Sequence, residues 1–278
     1  MTVLSLFDSK MPETATLKHS KGTPLPISAT VITHNEAQRV EDCLASLSGF
    51  VDQIVVLDSG SVDQTREIAL GMGAEVHIAD WQGYGPQKRR AEELCKHDWI
   101  LSLDADERLS PALTEEIRRA FAGGEPPVDA FTVSIVDQLP HESKPARWAY
   151  FYRRIRLYNL RRGRFADSAI HDDIIMKKGS RVGDLEGRIP HLSLEGLSEA
   201  TAKFNRYTDI QAEAMQENGR QLPRWRLVTE FPVAFLKSYF LRRRFMYGFW
   251  GFIFSMTYAN MRFLRVAKAY ETRHLPSK

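Results

Sequence analysis

Cysteine is scarce in this chain. Cys43 and Cys95 are the only two among 278 residues, and neither belongs to a CxxC pair or a Cys/His cluster. This scarcity excludes a disulfide framework and a structural zinc site, and it favours two buried thiols in a reducing cytoplasm. Glycine and proline are not enriched either, and the lack of internal repeats excludes solenoid architectures.

The first 25 residues lack a continuous apolar run and carry charges such as Asp8, Lys10 and Glu13. An ordinary secretory signal needs an apolar stretch of at least seven residues, so none is expected here. We therefore predict that residues 1–25 form a flexible leader and that the protein is cytoplasmic.

Two nucleotide-binding motifs and one catalytic motif are missing. No G-x-G-x-x-G follows the first apolar run, no Walker motif occurs, and no G-x-S-x-G elbow is found. Their absence argues against dinucleotide-binding enzymes, P-loop enzymes and α/β-hydrolases.

Short apolar runs alternate with amphipathic helical patterns through the first part of the chain. Runs that are apolar throughout and separated by helices predict a mostly parallel, Rossmann-like sheet covered on both faces, which is an α/β fold. The four runs that predict strands are 27–33, 53–57, 75–79 and 99–103.

Polar side chains follow three of these predicted strands at the point where each strand ends. In open α/β sheets, ligands bind outside the carboxyl ends of the strands, so three such ends indicate a single site. The polar residues concerned are Asn35, Glu36, Asp58, Ser59, Asp104 and Asp106.

The spacing of Asp104 and Asp106 suits a divalent cation that bridges a diphosphate. Mg²⁺ and Mn²⁺ take hard oxygen ligands, usually one or two carboxylates together with phosphate oxygens. Such a metal offsets the charge that develops on a leaving diphosphate. Two solvated aspartates in a turn are the alternative, and the other acidic strand ends favour the metal site.

Four motifs in order resemble the family 2 glycosyltransferases, whose fold is called GT-A. They are Ile-Thr-X-Asn-Glu (32–36), Val-Leu-Asp-Ser-Gly-Ser-X-Asp-X-Thr (56–65), Gly-X-Gln-Lys (85–88) and Trp-Ile-Leu-Ser-Leu-Asp-Ala-Asp-Glu (99–107). The resemblance covers roughly residues 27–210 and is strongest to the branch of bacterial lipopolysaccharide-core β-1,4-glucosyltransferases.

The resemblance implies an inverting transfer from a nucleoside-diphosphate sugar, with UDP-glucose as the donor. It places side chains around each part of that donor. Base and ribose would be contacted by Asp58, Ser59, Asn35 and Glu36, the diphosphate by Gln87 and Lys88, and the metal by Asp106 with Asp104 nearby.

The segment Ala169–Ile174 occupies the place of a Val-His-Glu element in that branch. Inversion needs a base on the acceptor hydroxyl, which Asp172 or Asp173 could supply. His171 could be a third metal ligand or a diphosphate contact. In the alternative reading, Asp172 or Asp173 only pairs with the nearby basic residues Lys177, Lys178 or Arg164.

Residues 145–165 contain seven arginines together with several aromatic residues. Aromatic rings stack on sugars and arginines pair with anionic groups, so Trp148, Tyr150 and Arg153 are candidate acceptor contacts. A solvated basic surface over an aromatic core is an equally weighted alternative.

The carboxyl-terminal part is basic and aromatic. Residues 220–278 hold 12 basic and 2 acidic residues, and the stretch Phe245–Met261 is uncharged. We predict a helical appendage over 219–278 that lies at the inner face of the cytoplasmic membrane. A core helix or a homo-oligomer interface is the alternative, and no nucleic-acid reader motif is present.

These observations predict a GT-A domain over 26–218. Its function would be transfer of glucose from a UDP-sugar to a lipid-linked glycan, with the lipopolysaccharide inner core as the acceptor. One alternative is a sugar-nucleotide nucleotidyltransferase, but the segment His34–Arg39 is not the glycine-rich loop of such enzymes. The other alternative is a non-catalytic nucleotide-sugar-binding scaffold.

Overall fold

A computed structural model describes residues 22–140, 142–168, 172–192, 196–219 and 222–274. The four predicted strands form the parallel half of a seven-stranded sheet, in the order β3-β2-β1-β4. Most of their side chains are buried, as expected of strands covered on both faces. Their bounds are β1 Leu25–Thr33, β2 Val51–Asp58, β3 Glu75–Ile78 and β4 Trp99–Asp104.

Helices follow these strands and cover both faces of the sheet. Residues of α1, α2 and α4 share one large apolar core with β1 and β4, whereas Ala91 of α3 belongs to a smaller core with Leu57 of β2. Ser110 accepts a hydrogen bond from the Leu113 amide and so caps α4. The bounds are α1 Val40–Leu47, α2 Thr65–Gly71, α3 Tyr84–Glu92 and α4 Pro111–Phe121.

The second half of the sheet is mixed and continues the order as β4-β6-β5-β9. Strand β6 runs antiparallel to β4 and to β5, and β9 runs parallel to β5. A separate two-stranded sheet joins β7 to β8. The bounds are β5 Ala130–Asp137, β6 Phe151–Asn159, β7 Gly163–Phe165, β8 Ile174–Met176 and β9 Val182–His191.

Strand β6 carries one extra residue relative to β5. Leu157 pairs with Phe131, whereas Ile155 pairs with Thr132, so Arg156 is left between the two pairs. Such β-bulges re-aim a side chain and are common beside active sites.

Helices dominate the rest of the described chain, which confirms the predicted helical appendage. The bounds are α5 Leu197–Glu217, α6 Arg226–Leu236, a π-helical turn Lys237–Leu241, a 3₁₀ turn Arg244–Tyr247 and α7 Gly248–His274. Within the described residues, no helix combines the length and the apolarity needed to cross a membrane. The α/β fold with a sheet flanked by helices is likewise as predicted. The predicted leader falls almost entirely on residues 1–21, outside the described residues, and the predicted domain bounds remain predictions.

Candidate active site

Three strand ends meet at one edge of the sheet. Thr33 at the end of β1 pairs with Asp58 at the end of β2, and Ile32 pairs with Asp104 at the end of β4. The sheet register therefore brings together the polar residues that follow these strands, as the sequence predicts.

Asp58 organises the loop that follows β2. Its fully buried carboxylate accepts hydrogen bonds from Thr33 Oγ1, the Gly60 amide, and both the amide and the hydroxyl of Ser61. These bonds occupy the side chain that was assigned to base or ribose binding. The structure thus gives Asp58 a definite role in shaping the loop, and its contact with a nucleotide stays a prediction.

Asn35 fastens the loop after β1 to the loop after β2. It has a left-handed backbone (φ 57°), which asparagine tolerates better than most residues. Its backbone N–H donates to Ser61 Oγ at 2.8 Å, and its side-chain Oδ1 accepts from the Val62 backbone N–H at 2.9 Å. The two loops are therefore held as one rigid edge.

Glu36 links this edge to α5 through Arg39. Arg39 donates to Glu36 at 2.7 Å and to Glu199 at 2.9 Å. Burial raises the pKa of Glu36 to about 7; Arg39 opposes this shift and Asp106 adds to it. The carboxyl is thus poised between its two protonation states near neutral pH.

The motif Gly-X-Gln-Lys forms the first turns of α3. Gly85 packs so closely on the segment before β8 that an added Cβ would lie 2.2 Å from the Ala166 carbonyl oxygen. Gln87 is buried and donates to Ser59 Oγ at 3.0 Å. This packing directs Lys88, which is also buried, toward the end of β4.

Asp104 lies between two cationic side chains. Lys88 Nζ is 2.8 Å from Asp104 Oδ1, and Arg156 Nη2 is 2.8 Å from Asp104 Oδ2. Arg156 also pairs with Glu107, which is fully buried and accepts a hydrogen bond from the Asp104 amide. Although burial opposes the shift, Lys88 and Arg156 hold the pKa of Asp104 well below its ordinary value, so the group is ionised.

Asp106 faces a second pair of cationic groups. Its Oδ2 lies 3.3 Å from His191 Nε2 and 3.9 Å from Lys203 Nζ. The Leu192 amide donates to the Asp106 carbonyl, so the end of β9 fixes this loop. Burial lowers the pKa of His191, but Asp106 outweighs it and raises that pKa to about 9.

The candidate base segment is only partly described. His171 lies outside the described residues, so its predicted metal and diphosphate roles remain untested. Asp172 Oδ2 is 2.8 Å from Lys88 Nζ, which brings this carboxylate into the same cluster as Asp104. Asp173 is more exposed and lies 3.8 Å from Arg154 Nε.

Two of the three candidate acceptor residues contact the carboxyl-terminal segment. The ring of Trp148 lies 6.3 Å from that of Tyr247, and the guanidinium of Arg242 stacks 4.5 Å from the ring of Tyr150. Arg153 forms an exposed ion pair with Asp184. Trp148 and Tyr150 lie just before strand β6, and Arg153 lies on it. The role of all three in acceptor binding stays a prediction.

The carboxylates at the end of β4 are of the kind that Mg²⁺ or Mn²⁺ takes. Asp104 and Asp106 supply hard oxygen atoms, and such metals complete their coordination with phosphate oxygens and water. Among the described residues, no group of three or more His, Cys, Asp or Glu side chains is arranged around one metal position. Both oxygens of Asp104 and Oδ2 of Asp106 lie in ion pairs, so metal binding by these two carboxylates together with a diphosphate stays a prediction.

Three residues of the site, Arg156, His191 and Lys203, are not singled out by the sequence. Arg156 comes from the β6 bulge and pairs with Glu107, the last residue of the motif at 99–107. His191 and Lys203 come from β9 and α5, almost one hundred residues later. Strand pairing brings Arg156 and His191 to the site and the packing of α5 brings Lys203, and neither is visible in a chain with many lone basic residues.

Comparison with known proteins identifies the family of the chain. The sequence profile described as "Glycosyl transferase family 2" matches residues 28–186, more than half of the chain. An "uncharacterized glycosyltransferase" of Rickettsia felis is 38% identical over 88% of this chain and 90% of its own length. The chain belongs to glycosyltransferase family 2.

Two further similarities differ in extent. The lipopolysaccharide core biosynthesis glycosyltransferase LpsC of Rhizobium meliloti is 30% identical over 91% of this chain and 95% of its own length. Among solved structures, glucosyl-3-phosphoglycerate synthase of Mycobacterium tuberculosis, in complex with Mn²⁺ and UDP, matches with a TM-score of 0.32. That match has 24% identity and covers 41% of this chain and 43% of the other.

Proposed function

We propose that the protein is an inverting glycosyltransferase that moves glucose from UDP-glucose to a lipid-linked glycan. The observation that carries this proposal is the paired carboxylates Asp104 and Asp106 at the end of β4, each held by cationic side chains. A nucleotide-sugar diphosphate bound there would meet fixed charges of both signs.

Charge stabilisation is the chemistry that these residues offer. Lys88, Arg156, His191 and Lys203 surround the two carboxylates within 4 Å. Fixed cations beside a diphosphate stabilise the negative charge that grows as the bond to the sugar breaks. A Mg²⁺ or Mn²⁺ ion held by Asp106 and Asp104 would add positive charge on the same group.

Inversion also requires a proton acceptor on the other side of the sugar. Asp172 is our candidate because Lys88 holds its partly exposed carboxylate beside the site, and because Lys88 also keeps its pKa below the ordinary value although burial opposes this. The carboxylate is therefore ionised at neutral pH, which is the form that a proton acceptor needs. Asp173, beside Arg154, is the second candidate.

The acceptor is assigned by similarity and by surface chemistry. LpsC is named for lipopolysaccharide core biosynthesis, and the similarity to it spans almost the whole chain. Trp148 and Tyr150 offer rings for sugar stacking, and Arg153 offers a charge for anionic groups. We therefore propose an anionic, lipid-linked glycan of the lipopolysaccharide inner core as the acceptor.

A donor screen followed by a transfer assay tests the proposal. UDP-, GDP- and TDP-sugars are compared by thermal shift with Mg²⁺ or Mn²⁺, and the stabilising donor is then incubated with purified inner-core lipopolysaccharide. We expect UDP-glucose to stabilise the protein and to yield UDP together with a β-linked product. Stabilisation without UDP release would support the scaffold alternative. Pyrophosphate release from UTP and glucose 1-phosphate would support the nucleotidyltransferase alternative.

A further inference from the structure

Exposed apolar side chains are concentrated in one short part of the chain. Of the 22 large apolar side chains exposed among the described residues, 12 lie between residues 225 and 256. The most exposed of these are Phe249 (87%), Val228 (77%) and Leu241 (75%). Concentrated apolar surface of this kind marks an interaction site. The exposed apolar side chains of residues 225–256 are called the docking face below.

The docking face follows the helical repeat of α6 and the turn after it. Val228, Leu236 and Phe240 are exposed and lie eight and four residues apart, whereas Ala234 and Ser238 on the other side are buried. Spacings of four and eight residues fall on one side of a helix. One side of the segment is thus packed against the rest of the protein, and the opposite side is exposed.

Helix α7 repeats this arrangement. Phe249, Phe252 and Met256 are exposed at spacings of three and four residues, while Gly251 and Ala259 are buried. An added Cβ on Gly251 would lie within 2 Å of the Arg244 carbonyl oxygen, so this glycine allows α7 to start close against the preceding turn.

Aromatic contacts join the two stripes into one surface. The ring of Tyr239 lies 5.3 Å from Phe235 and 5.1 Å from Phe240 on its own segment, and 6.1 Å from Phe252 on α7. Phe245 in the turn between the helices is 6.3 Å from the same ring. The apolar surface is therefore continuous across both helices.

The charge around the docking face is positive. Residues 222–274 contain ten Lys and Arg and only two acidic residues, Glu230 and Glu271. Glu230 is buried and is paired with three arginines, so it does not offset the exposed charge. Lys237 and Arg243, in contrast, stand exposed beside exposed aromatic side chains.

We propose that the docking face inserts into the interface of a membrane that contains anionic lipids. Aromatic and aliphatic side chains flanked by Lys and Arg, on helices that lie side by side, suit the boundary between headgroups and acyl chains. The inference goes beyond the proposed transfer reaction, and binding to lipid requires neither donor nor acceptor.

Charge also distinguishes a membrane from a second copy of the chain. A symmetric dimer through this face would bring the same cationic patch of both copies together, and like charges across an interface oppose association. An anionic lipid surface supplies the opposite charge.

The docking face is tied to the candidate acceptor residues. Arg242 lies between Tyr150 and Tyr258, with its guanidinium 4.5 Å and 4.8 Å from the two rings. Trp148 contacts Tyr247 in the turn that precedes α7. A protein docked in this way would hold Trp148 and Tyr150 next to the lipid surface.

Vesicle binding of the full chain tests the inference. Sedimentation with vesicles of phosphatidylglycerol and phosphatidylethanolamine in equal parts is compared with vesicles of phosphatidylcholine alone. We expect binding to the anionic vesicles that weakens as salt is raised. The Leu241→Gln and Phe249→Gln variants should each lower the partition coefficient about tenfold. The matched control Leu70→Gln changes an exposed leucine on α2 and should have no effect.

Charge is tested separately. Lys237→Gln should lower binding to the anionic vesicles about fivefold, and Arg119→Gln, an exposed cation on α4, should not. In the unaltered protein, bromine-labelled lipid should quench tryptophan fluorescence, and most of that quenching should be lost in the Trp225→Phe/Trp250→Phe variant.

Two results would overturn the inference. One is equal vesicle binding by the wild type, Leu241→Gln and Phe249→Gln proteins. The other is a wild-type protein that is dimeric and does not bind vesicles, together with variants that are monomeric. That result would assign the face to a second copy of the chain. Because no sugar donor is present, a failed transfer assay leaves vesicle binding intact and the two proposals fail separately.

Discussion

Lys88 Nζ lies 2.8 Å from an oxygen of Asp172, which is 84 residues further along the chain. The same nitrogen is 2.8 Å from Asp104, so one buried ammonium connects the end of β4 with the segment proposed to hold the base. A single side chain thereby fixes the separation between Asp104 and Asp172, the carboxylates to which we assign the donor diphosphate site and the proton acceptor.

Replacing Lys88 by methionine tests this connection. The variant keeps the volume of the side chain but removes the charge, so we expect loss of about 2 kcal/mol from the free energy of unfolding. We also expect about a hundredfold lower rate of transfer, because a fixed cation beside the diphosphate is gone. Denaturant unfolding and initial rates measure the two effects. Lys178→Met, at an exposed position, should leave both unchanged.

Arg156 and Arg153 provide a matched pair on one strand. Arg156→Met leaves the fully buried Glu107 without its cation, which should lower the free energy of unfolding by about 3–5 kcal/mol. Arg153→Gln removes only an exposed pair with Asp184 and should cost less than about 1 kcal/mol. If Arg153 contacts the acceptor, its variant raises the KM for the acceptor alone. Equal loss of stability in both variants would refute the structural role given to Arg156.

Glu36 gives a prediction for pH dependence. Its pKa is raised by burial from 4.5 to about 7, so the folded state holds a proton that the unfolded state releases. The wild type should therefore lose stability relative to Glu36→Gln as pH rises from about 4.5 to about 7, by about 3 kcal/mol. Urea unfolding of both proteins across this range, in the presence of a chelator, measures the difference. A difference that is constant with pH would show that the carboxyl titrates normally.

Gly85 is predicted to tolerate no side chain. Its Cβ would lie 2.2 Å from the Ala166 carbonyl oxygen and 2.6 Å from that of Ser168, so Gly85→Ala must displace backbone. We expect the variant to lose about 1–3 kcal/mol in the free energy of unfolding. Gly71→Ala, in a helix with open space around it, should be neutral or stabilising. Equal melting temperatures for Gly85→Ala and wild type would contradict the packing described for α3.

The parallel strands and their acidic ends were predictable because each depends on the pattern of a short stretch of sequence. Apolar runs marked β1, β2 and β4, and a polar residue marked where each one ends. Arg156 and His191 were not predictable, because they reach the site through the pairing of distant strands. The bulge that aims Arg156 exists only when β5 and β6 are aligned.

Tertiary contacts complicate two ligand-binding roles that the sequence suggests. Asp58 was expected to face a nucleotide, yet its carboxylate is occupied by the turn that it shapes. Gln87 was expected beside the diphosphate, and it is buried against Ser59 and Ala79. A strand-end polar residue can build the loop that binds a ligand, and sequence alone does not separate that role from direct contact.

The rate of glucose transfer from UDP-glucose by an Asp106→Ala variant tests the central claim most directly. Its control is Asp42→Ala, which removes an exposed carboxylate paired with Arg108. We expect both variants and the wild type to melt with a single cooperative transition. We predict that Asp106→Ala loses about a thousandfold in rate, while Asp42→Ala keeps the wild-type rate. A folded Asp106→Ala protein with near-normal transfer would contradict the assignment of the donor site to the end of β4.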